Sequence, residues 1–391
     1  MILLNEDDIY RSSTQYKFWS FTLDSLSSLR NTTNTLAANG VREAVLQQKQ
    51  KSAGVGNIED VTIDCLTVEE EQKLVGFYCV KAMQLADFCD FPTNVKVRLV
   101  PSCPFAYQIA DVSRAAQATA VQYLKRFYLS NSPMTYHPKE IMRSAVFLST
   151  KTENHYTSLR SFVAKLPKTT ADDILAPEFL LTQGLRFTFD VRHPHRALEG
   201  GFMECLAIAR GQRGELLKNT MMRIGSSEHW KKGAAKDTDQ LVARIQGAHG
   251  RAKDTLKTSA LLTDVYFHYT PSQIWLSAFL LADQPLTEFF VESAMPANSD
   301  MKQRLVNVLR GCAKMLSASL SADPGDAEMK ELMEIDKKLY KCRNPEKIDL
   351  VSMNKAAKRE GGQEGELDEK VIKKRKLERE QKADDVFGPP I

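Results

Sequence analysis

Apolar residues recur three or four positions apart along most of the chain, the spacing that places them on one face of an α-helix. Four such stripes begin at Leu74, Ile109, Ile141 and Leu305. The first follows Thr67-Val-Glu-Glu70, whose threonine and glutamate fit a helix-starting capping box. Alternating apolar and polar positions, which would predict a strand, occur only in the short segment 95–99. The pattern therefore predicts an all-α protein.

Two segments of the chain repeat each other at an offset of 133 residues. Tyr136–Leu148 and Tyr269–Leu281 share six of 13 positions, and each contains a proline suited to the first residue of a helix. Glu140 and Gln273 follow those prolines at a distance that lets them reach back to the helix start. The offset is too long for a short-repeat array and predicts a duplicated helical domain with a central helix in each copy.

Three polar stretches interrupt the helical pattern. Residues 39–60 and 211–236 carry glycines in polar surroundings, so we expect inserted loops there. The segment 355–391 contains 19 charged side chains and is predicted to be disordered. It includes a basic cluster that fits a nuclear import signal and equally well the solvated face of a helix: Lys373, Lys374, Arg375 and Lys376.

Composition and short sequence features argue against several classes of function. The 391 residues carry a net charge of only +4, which argues against nucleic acid as the main ligand. The longest nearly apolar run, Ile274–Ala282, is about half the length that a bilayer requires, and the acidic start of the chain predicts no secretory signal. None of the seven cysteines forms a C-x-x-C pair, so we expect buried free thiols in an intracellular protein and no zinc site.

The chain lacks the sequence patterns of an enzyme. It has no phosphate-binding glycine loop, no kinase signature and no nucleophile elbow. His193-Pro-His195 fits a helix entry better than a metal site, and Phe127 is expected to face the core while Lys125 and Arg126 stay outside. We therefore expect no catalysis, no metal and no cofactor in this chain.

Several segments resemble the cyclin H family. Lys125–Pro138 and Phe147–Glu153 resemble its first cyclin box, and Thr263–Ile274 resembles its second. Tyr16–Thr22 resembles the start of the N-terminal helix in that family. The insertions and divergent flanks are similar to those of fungal members.

The resemblance implies two five-helix cyclin-box repeats with flanking N- and C-terminal helices. It divides the chain into an N-terminal helix with an inserted loop, a first repeat, a second repeat with an insertion at 211–236, a C-terminal helix and a charged tail. The corresponding ranges are 12–66, 67–190, 191–322, 323–343 and 344–391.

The resemblance also implies a function. Cyclins activate a cyclin-dependent kinase by holding its αC helix inward, so that the Lys–Glu ion pair of the kinase forms. This chain would be the cyclin of the CDK-activating kinase in the general transcription factor TFIIH. It would promote phosphorylation of the RNA polymerase II C-terminal domain and of CDK activation loops in the nucleus. Its partners would be the kinase, a RING-finger assembly factor and the rest of TFIIH, without direct contact to nucleic acid or membrane.

Family motifs place the kinase contacts on four residues. Lys151, ending the third helix, matches a lysine that binds carbonyls beside the kinase αC helix, and Glu178, early in the fifth helix, matches its acidic partner. Phe187 matches an aromatic residue that packs on the same kinase helix, and Phe147 lies in the same matched segment. By themselves, Lys151 and Glu178 also suit charges that complement helix dipoles, and Phe187 suits a core position.

Two departures separate the chain from cell-cycle cyclins. Lys125 stands where those cyclins carry an aspartate, and Leu74–Lys81 replaces their substrate-docking patch. Two alternatives to the cyclin H interpretation stay open. One is a C-type cyclin of the Mediator kinase module, and the other is a cyclin-fold transcription factor of the TFIIB kind without a kinase.

Overall fold

The computed structural model describes residues 6–52, 63–89, 106–155, 157–212, 238–294, 300–318, 325–345 and 349–352. Every regular element in these ranges is a helix, which confirms the all-α prediction. The predicted strand at 95–99, most of the insertion at 211–236 and the tail with Lys373–Lys376 lie outside the described residues.

The described part of the first repeat consists of five helices: α4 (Val68–Phe88), α5 (Ala106–Ser130), α6 (Pro138–Thr152), α7 (Leu159–Ala164) and α8 (Ala171–Gly184). The central helix is α6, in which ten of 15 residues are buried, and it packs against α4, α5 and α8. The capping box at Thr67 and Glu70 is confirmed, as is the start of α6 at Pro138. The predicted local signals therefore set the starts of α4 and α6.

In the described residues of the second repeat there are five principal helices and two short ones. They are α9 (His195–Ala209), α10 (Thr238–Lys257), α11 (Ser259–Leu262), α12 (Val265–His268), α13 (Pro271–Ala282), α14 (Gln284–Ala294) and α15 (Asp300–Ser317). The central helix α13 begins at Pro271, and Thr270 and Gln273 form the predicted capping box. Glu140, the counterpart of Gln273, instead pairs with Arg343 at 2.9 Å. The duplication is confirmed, because both central helices begin at a proline and pack inside their own repeat.

Helices at both ends of the chain cover the repeats. The N-terminal ones are α1 (Glu6–Ser12), α2 (Thr14–Trp19) and α3 (Leu23–Ser52), and the C-terminal one is α16 (Asp326–Lys341). Helix α16 lies on α4, where Lys338 pairs with Glu70 at 3.0 Å. It shares a small core with α3 that includes Val41 and Leu339.

One prediction about the N-terminal part is wrong. The loop expected at 39–60 is helical through Ser52, since Val41 and Ala44 are buried and hold this polar stretch against the repeats; residues 53–60 lie outside the described ranges. The Tyr16–Thr22 block leads into the long helix α3, whose start Thr22 caps by accepting a bond from the Ser25 amide at 3.2 Å. It contains the end of α2 at Trp19 and the turn that precedes α3.

Lys125 and Arg126 were expected outside and are instead 8% and 2% exposed. Helices α2 and α3 and the second repeat cover this face of α5, which the periodicity of a single helix does not reveal. Lys125 lies 3.5 Å from the Asp264 carboxylate, and that carboxylate also accepts two bonds from Arg30. The pKa of Arg126 falls to about 10 because burial disfavours its charged form. The place of the aspartate of cell-cycle cyclins thus holds a buried lysine that joins the two repeats.

Candidate protein-binding surface

The end of α6 exposes a lysine at a defined position. Glu153 caps the helix, Asn154 has a left-handed φ of 58°, and the His155 amide donates to the Thr150 carbonyl at 2.8 Å. These bonds close the last turn, in which Lys151 lies. A positive charge in a last turn complements the helix dipole, as the sequence suggested.

Lys151 forms an ion pair with Glu178 across the gap between α6 and α8. Its Nζ lies 2.5 Å from Oε1 of Glu178, and the two side chains are 41% and 16% exposed. The same ammonium lies 4.5 Å from the centre of the Phe147 ring. Phe147 itself is buried against Phe162, with ring centres 5.3 Å apart. The structure therefore places Phe147 beneath Lys151, where it supports the ion pair from the core.

Glu178 is the eighth of 14 residues in α8, in the middle of the helix. The predicted position early in this helix is wrong, and so is its interpretation as a complement to the dipole, because that effect fades within the first turn. Its observed partner is Lys151. Pairing across two helices, and not a helix-end charge, explains this carboxylate.

Three features hold α8 in place. Thr170 and Asp173 form a capping box at its start, and the Ser144 hydroxyl donates to the Ile174 carbonyl at 2.7 Å. At its end, a Cβ added to Gly184 would lie 2.6 Å from Cδ2 of Phe127, so only glycine permits this close approach. Glu178 is thus carried on a helix fixed at both ends.

Large apolar side chains on α8 and just after it are exposed to water. Leu175 and Phe179 on α8 are 38% and 61% exposed, and Phe187, just after the helix, is 62% exposed. The core position considered for Phe187 is therefore excluded. Sequence reasoning missed Leu175 and Phe179. The sequence nevertheless contains a signal for them. Leu175 and Phe179 are four residues apart and so share one face of α8, next to the buried apolar stripe that contains Ile174 and Leu181.

We call the five side chains of this surface the α8 patch; they are Lys151, Leu175, Glu178, Phe179 and Phe187. An exposed apolar patch with a central ion pair is typical of a surface that binds another protein.

Among the described residues, no helix is long and apolar enough to cross a membrane, and no three His, Cys, Asp or Glu side chains are grouped to hold a metal ion. Six cysteines are described, all are free thiols, and all but Cys65 are buried, as predicted.

Comparison with known proteins identifies the fold family. The family model of the cyclin C-terminal domain matches residues 193–317. A solved structure of the CAK complex from Chaetomium thermophilum bound to ATP-gamma-S contains a chain 31% identical to this one. The match covers 93% of this chain and 98% of the other, with a TM-score of 0.71. The chain belongs to the cyclin family.

Cyclins of several organisms are related to it. Cyclin CCL1 of Saccharomyces cerevisiae is 31% identical over 77% of this chain, and the match spans 64% of the yeast protein. Cyclin-H of Xenopus laevis is 25% identical, and the match covers 98% of this chain and all of the frog protein. A yeast TFIIK complex (Kin28/Ccl1/Tfb3) contains a chain 27% identical, covering 78% of this chain and all of the other with a TM-score of 0.53. This cyclin therefore resembles cyclin-H in sequence and chains of CAK and TFIIK complexes in structure.

Proposed function

We propose that this cyclin is the regulatory subunit of a cyclin-dependent kinase and activates it within the CDK-activating kinase module of TFIIH. The similarity to chains of a CAK complex and of a TFIIK complex supports this role. The observation that carries the binding site is the Lys151–Glu178 pair, exposed between apolar side chains of the first repeat. Phosphoryl transfer itself belongs to the kinase subunit.

In this proposal the α8 patch holds the kinase αC helix. An ammonium group has three donor hydrogens, and the bond to Glu178 engages one, so others point to backbone carbonyls of the partner. Glu178 fixes the ammonium from one side and Phe147 from below. Burial of Phe179 and Phe187 adds about 1.5–3 kcal/mol for each ring that is fully covered. The cyclin binds the inward position of the αC helix better than the outward one and so shifts the kinase towards its active state.

The wider assignment follows the same relatives. The complex would phosphorylate the C-terminal domain of RNA polymerase II and the activation loops of other kinases, in the nucleus. A RING-finger assembly factor and the remaining TFIIH subunits would complete the assembly, as Tfb3 accompanies Kin28 and Ccl1 in yeast TFIIK.

Binding of the purified chain to the kinase subunit of the C. thermophilum CAK complex tests this function. Lys151→Glu and Glu178→Lys should each weaken binding about tenfold or more, because each sets like charges beside each other and removes a contact to the partner. The matched control is Lys73→Glu, which reverses another exposed pair, with Glu331 at 2.5 Å, between α4 and α16. It should leave the affinity unchanged.

The double variant Lys151→Glu/Glu178→Lys separates binding from folding. It restores an ion pair within the cyclin but presents both charges to the kinase in reverse. We expect it to be as stable as the wild type and still deficient in binding. Wild-type affinity in both single variants would refute the proposed binding site. Failure of the wild-type chain to bind the kinase would refute the proposed function.

A further inference from the structure

The turn that carries Phe187 is conformationally unfavourable. Arg186 and Phe187 both adopt left-handed φ angles, 53° and 56°, and neither is a glycine. Each such residue costs about 1–2 kcal/mol relative to a right-handed conformation. Local bonds offset part of this cost, since the Phe187 amide donates to the Thr182 carbonyl at 3.1 Å and the Arg186 amide to the Gln183 carbonyl at 2.8 Å. A turn of this kind persists only where neighbouring structure holds it.

Trp19 of the N-terminal helix α2 supports the turn from behind. Its ring is 2% exposed, and its Nε1 donates to the Thr188 hydroxyl at 2.9 Å. The guanidinium of Arg186 lies 5.6 Å from the centre of the same ring, within the range of a cation–π contact. Trp19 therefore contacts the residues on both sides of Phe187, while the Phe187 ring faces water.

Helix α2 also holds the rest of this linker between the repeats. Oε1 of Gln15 accepts a bond from the Arg192 amide at 2.6 Å, and Gln15 is 1% exposed. Arg126 donates to the Asp190 carbonyl at 3.1 Å and lies 5.1 Å from the Trp19 ring. The segment from Arg186 to Arg192 is thus fixed along its length by α2 and by the side chain of α5 that α2 covers.

We propose that Trp19 is a positioning residue for kinase binding, which acts through the turn of Phe187 although it lies outside both cyclin repeats. This inference rests on the function proposed above. Through Trp19, helix α2 pre-organises one aromatic contact, so that the turn is already ordered before the partner arrives. A residue that only stabilised the fold would affect binding equally whether or not Phe187 were present.

A double-mutant cycle tests this coupling, with the C. thermophilum CAK kinase subunit as the probe. Trp19→Phe keeps an aromatic ring and loses the bond to Thr188. We expect it to weaken binding about fivefold, and Phe187→Ala to weaken it about tenfold or more. In the Phe187→Ala background, Trp19→Phe should change the affinity less than about twofold, because its effect passes through the missing ring. Thr188→Val should reproduce the loss, and Thr188→Ser, which keeps the hydroxyl, should restore binding.

Trp275→Phe is the matched control. Trp275 lies in the core of the second repeat, so this variant loses a comparable part of a buried indole without touching the linker. It should lower the melting temperature and leave kinase affinity unchanged. Wild-type affinity in Trp19→Phe, or the same fivefold loss with and without Phe187, would overturn the inference. Failure of the wild-type chain to bind the kinase would instead refute the proposed function.

Discussion

The two central helices end in different ways, although they belong to copies of one domain. The last turn of helix α6 carries Lys151, which is paired with Glu178 in contact with water. Helix α13 ends at Ala282 and is capped by Asp283, which binds Arg244 through two bonds of 2.7 and 2.8 Å. The side chains of this second pair are only 5% and 7% exposed.

The segments that follow the two helices explain the difference. Helix α6 has 15 residues and is followed by a loop before α7, which leaves its end open. Helix α13 has 12 residues, and α14 begins directly after Asp283, whose carboxylate also accepts a bond from the Leu286 amide at 3.1 Å. In the second repeat the Arg244–Asp283 pair is thus buried and stabilises packing within the fold. The first repeat keeps a pair in contact with water, where a partner can reach it.

The largest expected effect on stability comes from breaking the buried pair. Arg244→Met leaves the Asp283 carboxylate buried without its partner and should lower the free energy of unfolding by about 3–5 kcal/mol. Lys151→Met should lower it by no more than about 1 kcal/mol, because exposed pairs contribute little. Urea denaturation of both variants measures this. Equal losses would show that the two ion pairs do not differ in the way we describe.

Two glycines extend the comparison to packing. A Cβ on Gly201 would lie 2.4 Å from the Trp275 ring, and one on Gly184 would lie 2.6 Å from Phe127. Gly201→Ala and Gly184→Ala should each destabilise the fold by about 1–3 kcal/mol. Only Gly184→Ala should also weaken kinase binding, because it displaces the end of α8. Gly200→Ala is the matched control, with no atom within 4 Å of the added Cβ, and should be neutral or slightly stabilising. Loss of kinase binding in Gly201→Ala would contradict the assignment of the kinase-binding surface to the first repeat.

Acidification should change the contributions of two buried groups to stability in opposite directions. Burial lowers the pKa of His193, which lies between Thr119 and Tyr266, to about 3. Its contribution to stability is complete above about pH 6.5, the pKa of an unfolded histidine, and is lost as the pH falls towards 3. Burial raises the pKa of Glu71, beside Ser132, to about 7. Its contribution is complete below about pH 4.5 and is lost as the pH rises through 7.

Melting temperatures at pH 7.5 and 5.5 check both signs. On acidification His193→Gln should lose less stability than the wild type by about 1 kcal/mol, since it lacks the group that protonates on unfolding. Glu71→Gln should lose more than the wild type, because it lacks the group that binds a proton in the folded state. Identical pH profiles for the three proteins would refute these assignments.

The smallest expected effect on stability is at the exposed apolar positions. Phe179→Ser in the α8 patch and Leu281→Ser, whose leucine is 46% exposed in the second repeat, should each change the free energy of unfolding by about 0.5 kcal/mol or less. Kinase affinity should fall only for Phe179→Ser. Calorimetric titration of both variants with the kinase subunit provides the measurement. Equal affinities would show that Phe179 is not part of the binding surface.

Local signals made part of this structure predictable. The prolines and capping residues that begin α4, α6 and α13 act within one helical turn, so the sequence alone identified those starts and the duplication. The proposed role of Lys151 and Glu178 came from the family resemblance, since neither charge by itself indicates a binding partner.

The remainder depends on contacts between distant segments. Lys125 and Arg126 are buried because α2, α3 and the second repeat cover them, and no property of α5 alone indicates this. The helix through Ser52 depends in the same way on Val41, which packs against other elements. Leu175 and Phe179 were missed because apolar residues were assigned to the core, while α8 carries a second apolar face that remains exposed.

Hydrogen exchange of the chain, alone and with the kinase subunit, tests most directly which repeat meets the kinase. We predict slower exchange in the complex at residues 151–155 and 175–188, around the end of α6 and along α8. Exchange at 280–294, the corresponding end of the second repeat, should not change. Protection confined to 280–294, with none along α8, would contradict the assignment of kinase binding to the first repeat.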